Sequence, residues 1–261
     1  MGDKVNAPKV RAMKANGQKV VCLTAYDVYF GRLADEAGAD IILVGDSLGN
    51  VVLGYPTTVP VTMEEMLHHV RAVRRGVSRA LLVADMPFGS YNSSVSQAVD
   101  NAVLLMKAGA ESVKLEGDYP EAIAAIVKAG IPVMGHIGMT PQSVNNFGGF
   151  KVQGRGEAGS AEVAKSLSIE AAGAYAIVLE LMPRELSKDI SEKLEIPTIG
   201  IGGGPHTDGQ IQVMHDILGL ARETFRHVKR YADGESLFAT AFSEYVSEVR
   251  DAKFPTEEHS F

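Results

Sequence analysis

Short apolar runs alternate with amphipathic stretches along most of the chain. The runs cover 19–27, 40–46, 80–86, 112–116, 132–137, 176–180 and 197–202, with an eighth at 211–215. Such runs read as strands buried on both faces, the mark of a parallel sheet. Between them, 63–75, 96–107, 120–129, 161–171 and 184–194 carry apolar residues at helical spacing. In MEEMLHHVRAVRR, for instance, Met63, Met66, Leu67, Val70 and Val73 fall on one side of a helix. Thr62 followed by Glu65 predicts a capping box, and Pro183 suits a first helical turn. Strand–helix alternation implies parallel strands with right-handed crossovers. Eight such units favour a closed (β/α)8 TIM barrel over an open doubly wound sheet, and 261 residues is close to the roughly 250 usual for one. The seventh unit departs from the rhythm, because 203–210 (GGPHTDGQ) is too short and turn-rich for a full helix. Extra helices are expected at 8–15, before the first strand, and at 237–252, after the eighth. With no linker or repeat in view, 1–261 is expected to form a single barrel domain.

Composition narrows the function classes. Hydrophobic residues make up 46% and charged residues 22%, which is ordinary for a globular chain. A net charge of −7, without a basic stripe, argues against a nucleic-acid partner. The first twenty residues are charged and lack the apolar core of a secretory signal. No run approaches the roughly 20 apolar residues of a membrane span. Cys22 is the single cysteine, so no intrachain disulfide can form, and its place inside the first run marks it as a packed thiol. These features together predict a cytoplasmic location and no membrane partner.

The runs end in chemistry. Asp46 closes LVGDS, Asp85 LLVAD, Glu116 VKLEG, His136 VMGH and Glu180 IVLE. In a parallel barrel all strand C-termini open on one face. Asp46, Asp85 and Glu116, from neighbouring strands, should therefore converge there. Three like charges repel, and a divalent cation relieves the repulsion. An all-oxygen set selects a hard ion, Mg2+ or Mn2+, held by one or two carboxylates plus water and substrate oxygens. Which acids bind directly and which through water stays open. Lys114 lies two residues before Glu116, so it shares its face and is placed to meet an anionic substrate such as a carboxylate. Glu180, across the ring, has two readings: a general base, or a buried acid paired with Arg184. His136, also at a strand end, has an open role, a lone histidine being more often structural than catalytic. Gly154, Gly156 and Gly159 match G-x-G-x-x-G but follow no strand, which removes the dinucleotide reading and leaves a mobile loop. His68 and His69 lack metalloprotease spacing.

The stretches VGDSLGN, TMEEMLHHVRAVRRG, LLVADMPFGSY, AGAESVKLEG, GHIGMTPQSVNNFGGFKVQGR, IVLE, GIGGGPHTDGQIQVMHD and FPTEEHSF, in this order over nearly the whole chain, resemble the ketopantoate hydroxymethyltransferase family. The resemblance implies a (β/α)8 barrel that uses Mg2+ at the first committed step of pantothenate synthesis. A hydroxymethyl group passes from 5,10-methylenetetrahydrofolate to 3-methyl-2-oxobutanoate, giving 2-dehydropantoate and tetrahydrofolate. By motif, Asp46, Asp85 and Glu116 resemble the family's metal residues. Asp46, Ser47, Asp85 and Lys114 resemble its contacts to the oxo acid, and Glu180 its proton acceptor. The resemblance also implies a homo-oligomer, with ring-like decamers common. One loop departs from the usual GIGAG pattern and reads Gly200-Ile-Gly-Gly-Gly-Pro205-His206. Two rivals remain: a metal-dependent carbon–carbon lyase or phosphonopyruvate-type mutase, related barrels that carry a reactive Cys in a mobile loop, and a non-catalytic barrel that senses an oxo acid.

Overall fold

The computed structural model describes residues 3–221 and 224–261. It forms two compact units, one ending at Val213 and the other running over Met214–Phe261. In the first, α1 (Ala7–Ala15) precedes β1 (Val20–Thr24), α2 (Val28–Glu36), β2 (Ile41–Val44), α3 (Leu48–Val51), α4 (Met63–Arg74) and β3 (Leu81–Asp85). Then follow α5 (Val95–Ala108), β4 (Ser112–Lys114), α6 (Pro120–Lys128) and β5 (Val133–Gly138). A 3-10 turn (Pro141–Ser143) leads into α7 (Val144–Phe147), α8 (Ala158–Ala171), β6 (Ala176–Glu180), α9 (Arg184–Lys193), β7 (Thr198–Ile201) and β8 (Gly209–Gln212). The eight strands are all parallel and close into a barrel in sequence order, with β8 pairing back onto β1. This is the (β/α)8 architecture expected from the hydrophobic pattern, with its extra N-terminal helix.

Local chemistry explains the elements. All four residues of β2 and all five of β3 are buried, as their unbroken apolar runs require. The Thr62–Glu65 capping box starts α4, which buries Met66, Val70 and Val73. Pro183 sits one residue earlier than expected, at the N-cap of α9. The eighth strand begins at Gly209, two residues before the apolar signal. A side chain at Gly209 would place its Cβ 2.4 Å from Val20 O, so only glycine lets β8 reach β1. Between β7 and β8 the chain turns through 202–208 without a helix.

Ile41, Leu43, Leu81, Val83, Met134, Val178, Ile199 and Ile211 pack inside the barrel, together with Val5, Ala7 and Val10 from the N-terminal segment. Val5 N donates to Arg79 O, Lys4 Nζ to Ala80 O and Lys14 Nζ to Ile196 O, all groups that immediately precede strands. So α1 covers the N-terminal end of the barrel, and the strand C-termini open at the opposite mouth.

The second unit contains α10 (Met214–Ile217) and α11 (Gly234–Arg250). Its backbone is tied by Tyr231 N to Ile217 O and Gly234 N to Leu218 O. Phe242 on α11 is 69% exposed. Among the described residues, no helix is long and apolar enough to cross a membrane.

Candidate active site

The C-terminal ends of neighbouring strands gather the predicted acids. Asp85 is the last residue of β3 and pairs in register with Lys114, the last of β4. Asp46 follows β2 by two residues, and its backbone N–H donates to Asp85 Oδ2 at 3.0 Å. Lys114 Nζ lies 2.6 Å from Asp85 Oδ1 and 3.7 Å from Glu116 Oε1. Asp46, Asp85, Lys114 and Glu116 are all buried. A Cβ on Gly45 would stand 2.8 Å from Ser47 Oγ and 3.4 Å from Asp85 Oδ2, so bare backbone keeps this corner open. Ser47 Oγ lies 2.9 Å from the Tyr26 hydroxyl at the start of α3.

His136, on β5, connects the two halves of the cluster. Its Nδ1 is 3.3 Å from Glu116 Oε1, and its Nε2 is 3.2 Å from Glu180 Oε2 at the end of β6. Arg184 Nε instead lies 2.9 Å from Glu185 Oε1, so the pairing of Glu180 with Arg184 is not formed. Gln142, in the 3-10 turn after β5, is a further member. Its Nε2 donates to Asp46 Oδ2 (2.8 Å) and Met86 O (3.0 Å), and its backbone N–H donates to Glu116 Oε2 (3.0 Å). Tyr91 donates its hydroxyl to Gln142 Oε1 at 2.6 Å.

The electrostatics follow from burial and proximity. Burial first, then the charges of Asp85 and Glu116, push the Asp46 carboxyl well above the usual range. Burial also raises Asp85, against the opposing pull of Lys114. Glu116 goes the other way. Burial acts to raise it, but His136, Lys114 and the Gln142 N–H together hold it below its ordinary value. Lys114 is held charged by Asp85, Glu116 and Asp46 despite its burial. Burial and Lys114 oppose a charge on His136, yet Glu116 and Glu180 push its pKa up to about 9.

Three buried carboxylates thus share the mouth with one lysine and one histidine. Among the described residues, Asp85 Oδ1 faces Lys114 Nζ alone (2.6 Å), and Glu116 Oε1 meets only His136 Nδ1 (3.3 Å) and Lys114 Nζ (3.7 Å), so each buried oxygen keeps a lone pair to spare. Oxygen-only donors with spare lone pairs suit a hard cation. Among the described residues, no three His, Cys, Asp or Glu side chains form a ready-made metal cage. The fit is therefore to an ion held by few carboxylates and completed by water and substrate oxygens, the usual Mg2+ arrangement.

The sequence leaves the role of His136 open, and the structure places it between Glu116 and Glu180. Tyr91 and Gln142 lie inside stretches that carry the family resemblance, but no spacing marks them as site residues, because each lies in a loop whose position depends on the closed ring.

The sequence model of ketopantoate hydroxymethyltransferase matches residues 4–257. The chain belongs to this family. It is 53% identical over 268 positions to the 3-methyl-2-oxobutanoate hydroxymethyltransferase of Carboxydothermus hydrogenoformans, an alignment covering 99% of this chain and 96% of the relative. The enzyme of that name from Thermus thermophilus is 50% identical over 251 positions, covering 95% and 96%. The chain is thus an enzyme, a hydroxymethyltransferase. Among solved structures, a phosphonopyruvate hydrolase in complex with oxalate and Mg2+ superposes with a TM-score of 0.64 at 14% identity, over 97% of this chain and 93% of that one. An oxaloacetate acetylhydrolase gives 0.63 at 14% identity, over 98% and 91%. Both share the fold. The reactive loop cysteine expected of a lyase or mutase has no counterpart in Cys22, which is buried within β1 and pushed far up by that burial.

Proposed function

We propose that the enzyme transfers a hydroxymethyl group from 5,10-methylenetetrahydrofolate to 3-methyl-2-oxobutanoate, forming 2-dehydropantoate for pantothenate synthesis, and that it depends on Mg2+. One observation carries the reading: buried Asp46, Asp85 and Glu116 meet Lys114 at one mouth, and His136 links that cluster to Glu180. Asp46, Asp85 and Glu116 would hold the Mg2+, directly or through water. Bound there, the ion would supply Lewis acidity toward the keto oxygen of the oxo acid.

The chain's own groups do the rest. Lys114, charged and desolvated, and the Ser47 hydroxyl hold the carboxylate end of the oxo acid, which aims C3 at Glu180. Glu180 accepts the C3 proton, and His136 at 3.2 Å fixes the orientation of its carboxylate. The electron pair left on C3 forms the new bond to the methylene carbon of the folate as one of its two C–N bonds breaks; water then replaces the second nitrogen, and tetrahydrofolate leaves with its two nitrogens protonated, one proton from Glu180 and one from that water. A cytoplasmic location and a homo-oligomer, up to a decamer, belong to the same reading. Exposed Val28, Tyr29 and Leu33 on α2 would support such an assembly.

The test is exchange of the C3 proton of 3-methyl-2-oxobutanoate with deuterated solvent, followed by NMR with Mg2+ present. Glu180→Gln should still bind the oxo acid and lose exchange by about 100-fold or more. Exchange at the wild-type rate would remove Glu180 as the base.

A further inference from the structure

We infer that Gln142 is a positioning residue, oriented by Tyr91, that fixes Asp46 and Glu116 relative to one another for the cation. The inference rests on the reading that these acids hold a divalent ion. Pro141 lacks an N–H, so the first donor of the 3-10 turn is that of Gln142, and it points at Glu116 Oε2 (3.0 Å) rather than at water. The Gln142 side chain reaches the other way, to Asp46 Oδ2 (2.8 Å). A single residue on the loop after β5 therefore holds acids that follow β2 and β4.

The direction of the carboxamide is not arbitrary. The Tyr91 hydroxyl accepts from Glu116 N at 3.2 Å, which leaves its proton for one acceptor. Gln142 Oε1 at 2.6 Å is closer than Glu116 O at 3.1 Å. With Oε1 taken by that donor, both N–H groups of the amide must serve acceptors, and they find Asp46 Oδ2 and Met86 O. A flipped amide would turn its oxygen on a carboxylate. Tyr91 therefore acts on Asp46 through Gln142. Each residue is at most 5% exposed, so water cannot substitute for either bond. Groups that orient metal ligands in this way typically set metal affinity over a 10–100-fold range.

The test measures Mn2+ affinity directly by EPR on the full chain, alongside the Mg2+ concentration that gives half-maximal activity. Gln142→Met, close in shape but without hydrogen bonds, should weaken Mn2+ binding about tenfold. Tyr91→Phe should weaken it by a smaller factor and have no further effect in the Gln142→Met background. Gln142→Asn, which keeps the amide, should restore part of the affinity. A purely structural role would lower thermal stability without that non-additivity. Wild-type Mn2+ affinity in Gln142→Met, with binding lost in Asp46→Ala, would overturn the inference and leave the metal reading standing. Unchanged affinity in Asp46→Ala as well would overturn both. Full additivity of the Tyr91 and Gln142 effects would overturn the role of Tyr91.

Discussion

Asp35, at the C-terminal end of α2, shows what a satisfied buried carboxylate looks like in this molecule. It accepts from Ser78 N (2.8 Å) and Oγ (2.9 Å), Arg79 N (2.9 Å) and Ala80 N (2.6 Å), binding the loop that feeds β3. Burial acts to raise its carboxyl, but the N–H groups of Ala80, Arg79 and Ser78 prevail and bring it below the ordinary value of 3.8. The folded state therefore binds the proton less readily than the unfolded one. The stabilisation is complete above that ordinary value and is lost as pH falls through the lower folded value. Asp35→Asn should cost about 1–3 kcal/mol in urea unfolding at pH 7. The gap between variant and wild type should narrow in acid, and a gap that stays constant would assign the cost to packing alone. Asp46 is the opposite case: it has a single hydrogen bond from Gln142 and like charges beside it. A carboxylate left this short of donors is what the proposed cation site calls for. Sequence could show which acids end strands. It could not show that Asp35, inside a helix, would find its partners 43 to 45 residues away.

At the level of elements, strands were legible and their connections less so. Fully buried strands announce themselves as apolar runs, and β6 begins and ends where its run does. The first crossover helix, α2, is not marked by large apolar residues on its inner face. Its buried positions are Gly31, Ala34 and Asp35, while the larger Val28, Tyr29 and Leu33 face outward. The end of β5 shows why element geometry matters for catalysis. Gly138 pairs with Glu180 at a φ of 89°, and a Cβ there would lie 2.3 Å from Glu180 O and 2.7 Å from Met182 Cγ. Leu181, next to Glu180, holds φ at 45°, with its N–H donating to Ile201 O and its carbonyl accepting from Gln153 N. Backbone strain of this kind clusters at functional sites, and here it adjoins the residue proposed as the base. Gly138→Ala should push β5 off the end of β6, move Glu180 and cut kcat by about 100-fold. Thr62→Ala, which removes the capping box of α4, should cost about 1 kcal/mol of stability and leave kcat intact. A Gly138→Ala enzyme with wild-type kcat would mean that the Glu180 carboxylate is placed independently of this strand pair.

At the scale of the whole molecule, the acids follow or end strands that are adjacent in a ring closed by β1 and β8, so an ion bound among them would tie those strands together. A ligand that binds only the folded state stabilises it by about 2.7 kcal/mol at 100 times its dissociation constant. At about 2–4 °C per kcal/mol for a chain of this size, saturating Mg2+ should raise the melting midpoint by roughly 5–10 °C. The net charge of −7 attracts cations to the surface in general, so the shift alone does not locate the ion. The comparison with Asp46→Asn does. An asparagine keeps an oxygen for Gln142 Nε2 and removes one of the three buried like charges. In chelator, the variant should melt at or above the wild-type midpoint, because the wild type then carries repulsion with no ion to relieve it. In Mg2+, the order should invert, since only the wild type gains from binding. Equal Mg2+ shifts in the two proteins, read by calorimetry under matched ionic strength, would put the ion somewhere other than this mouth.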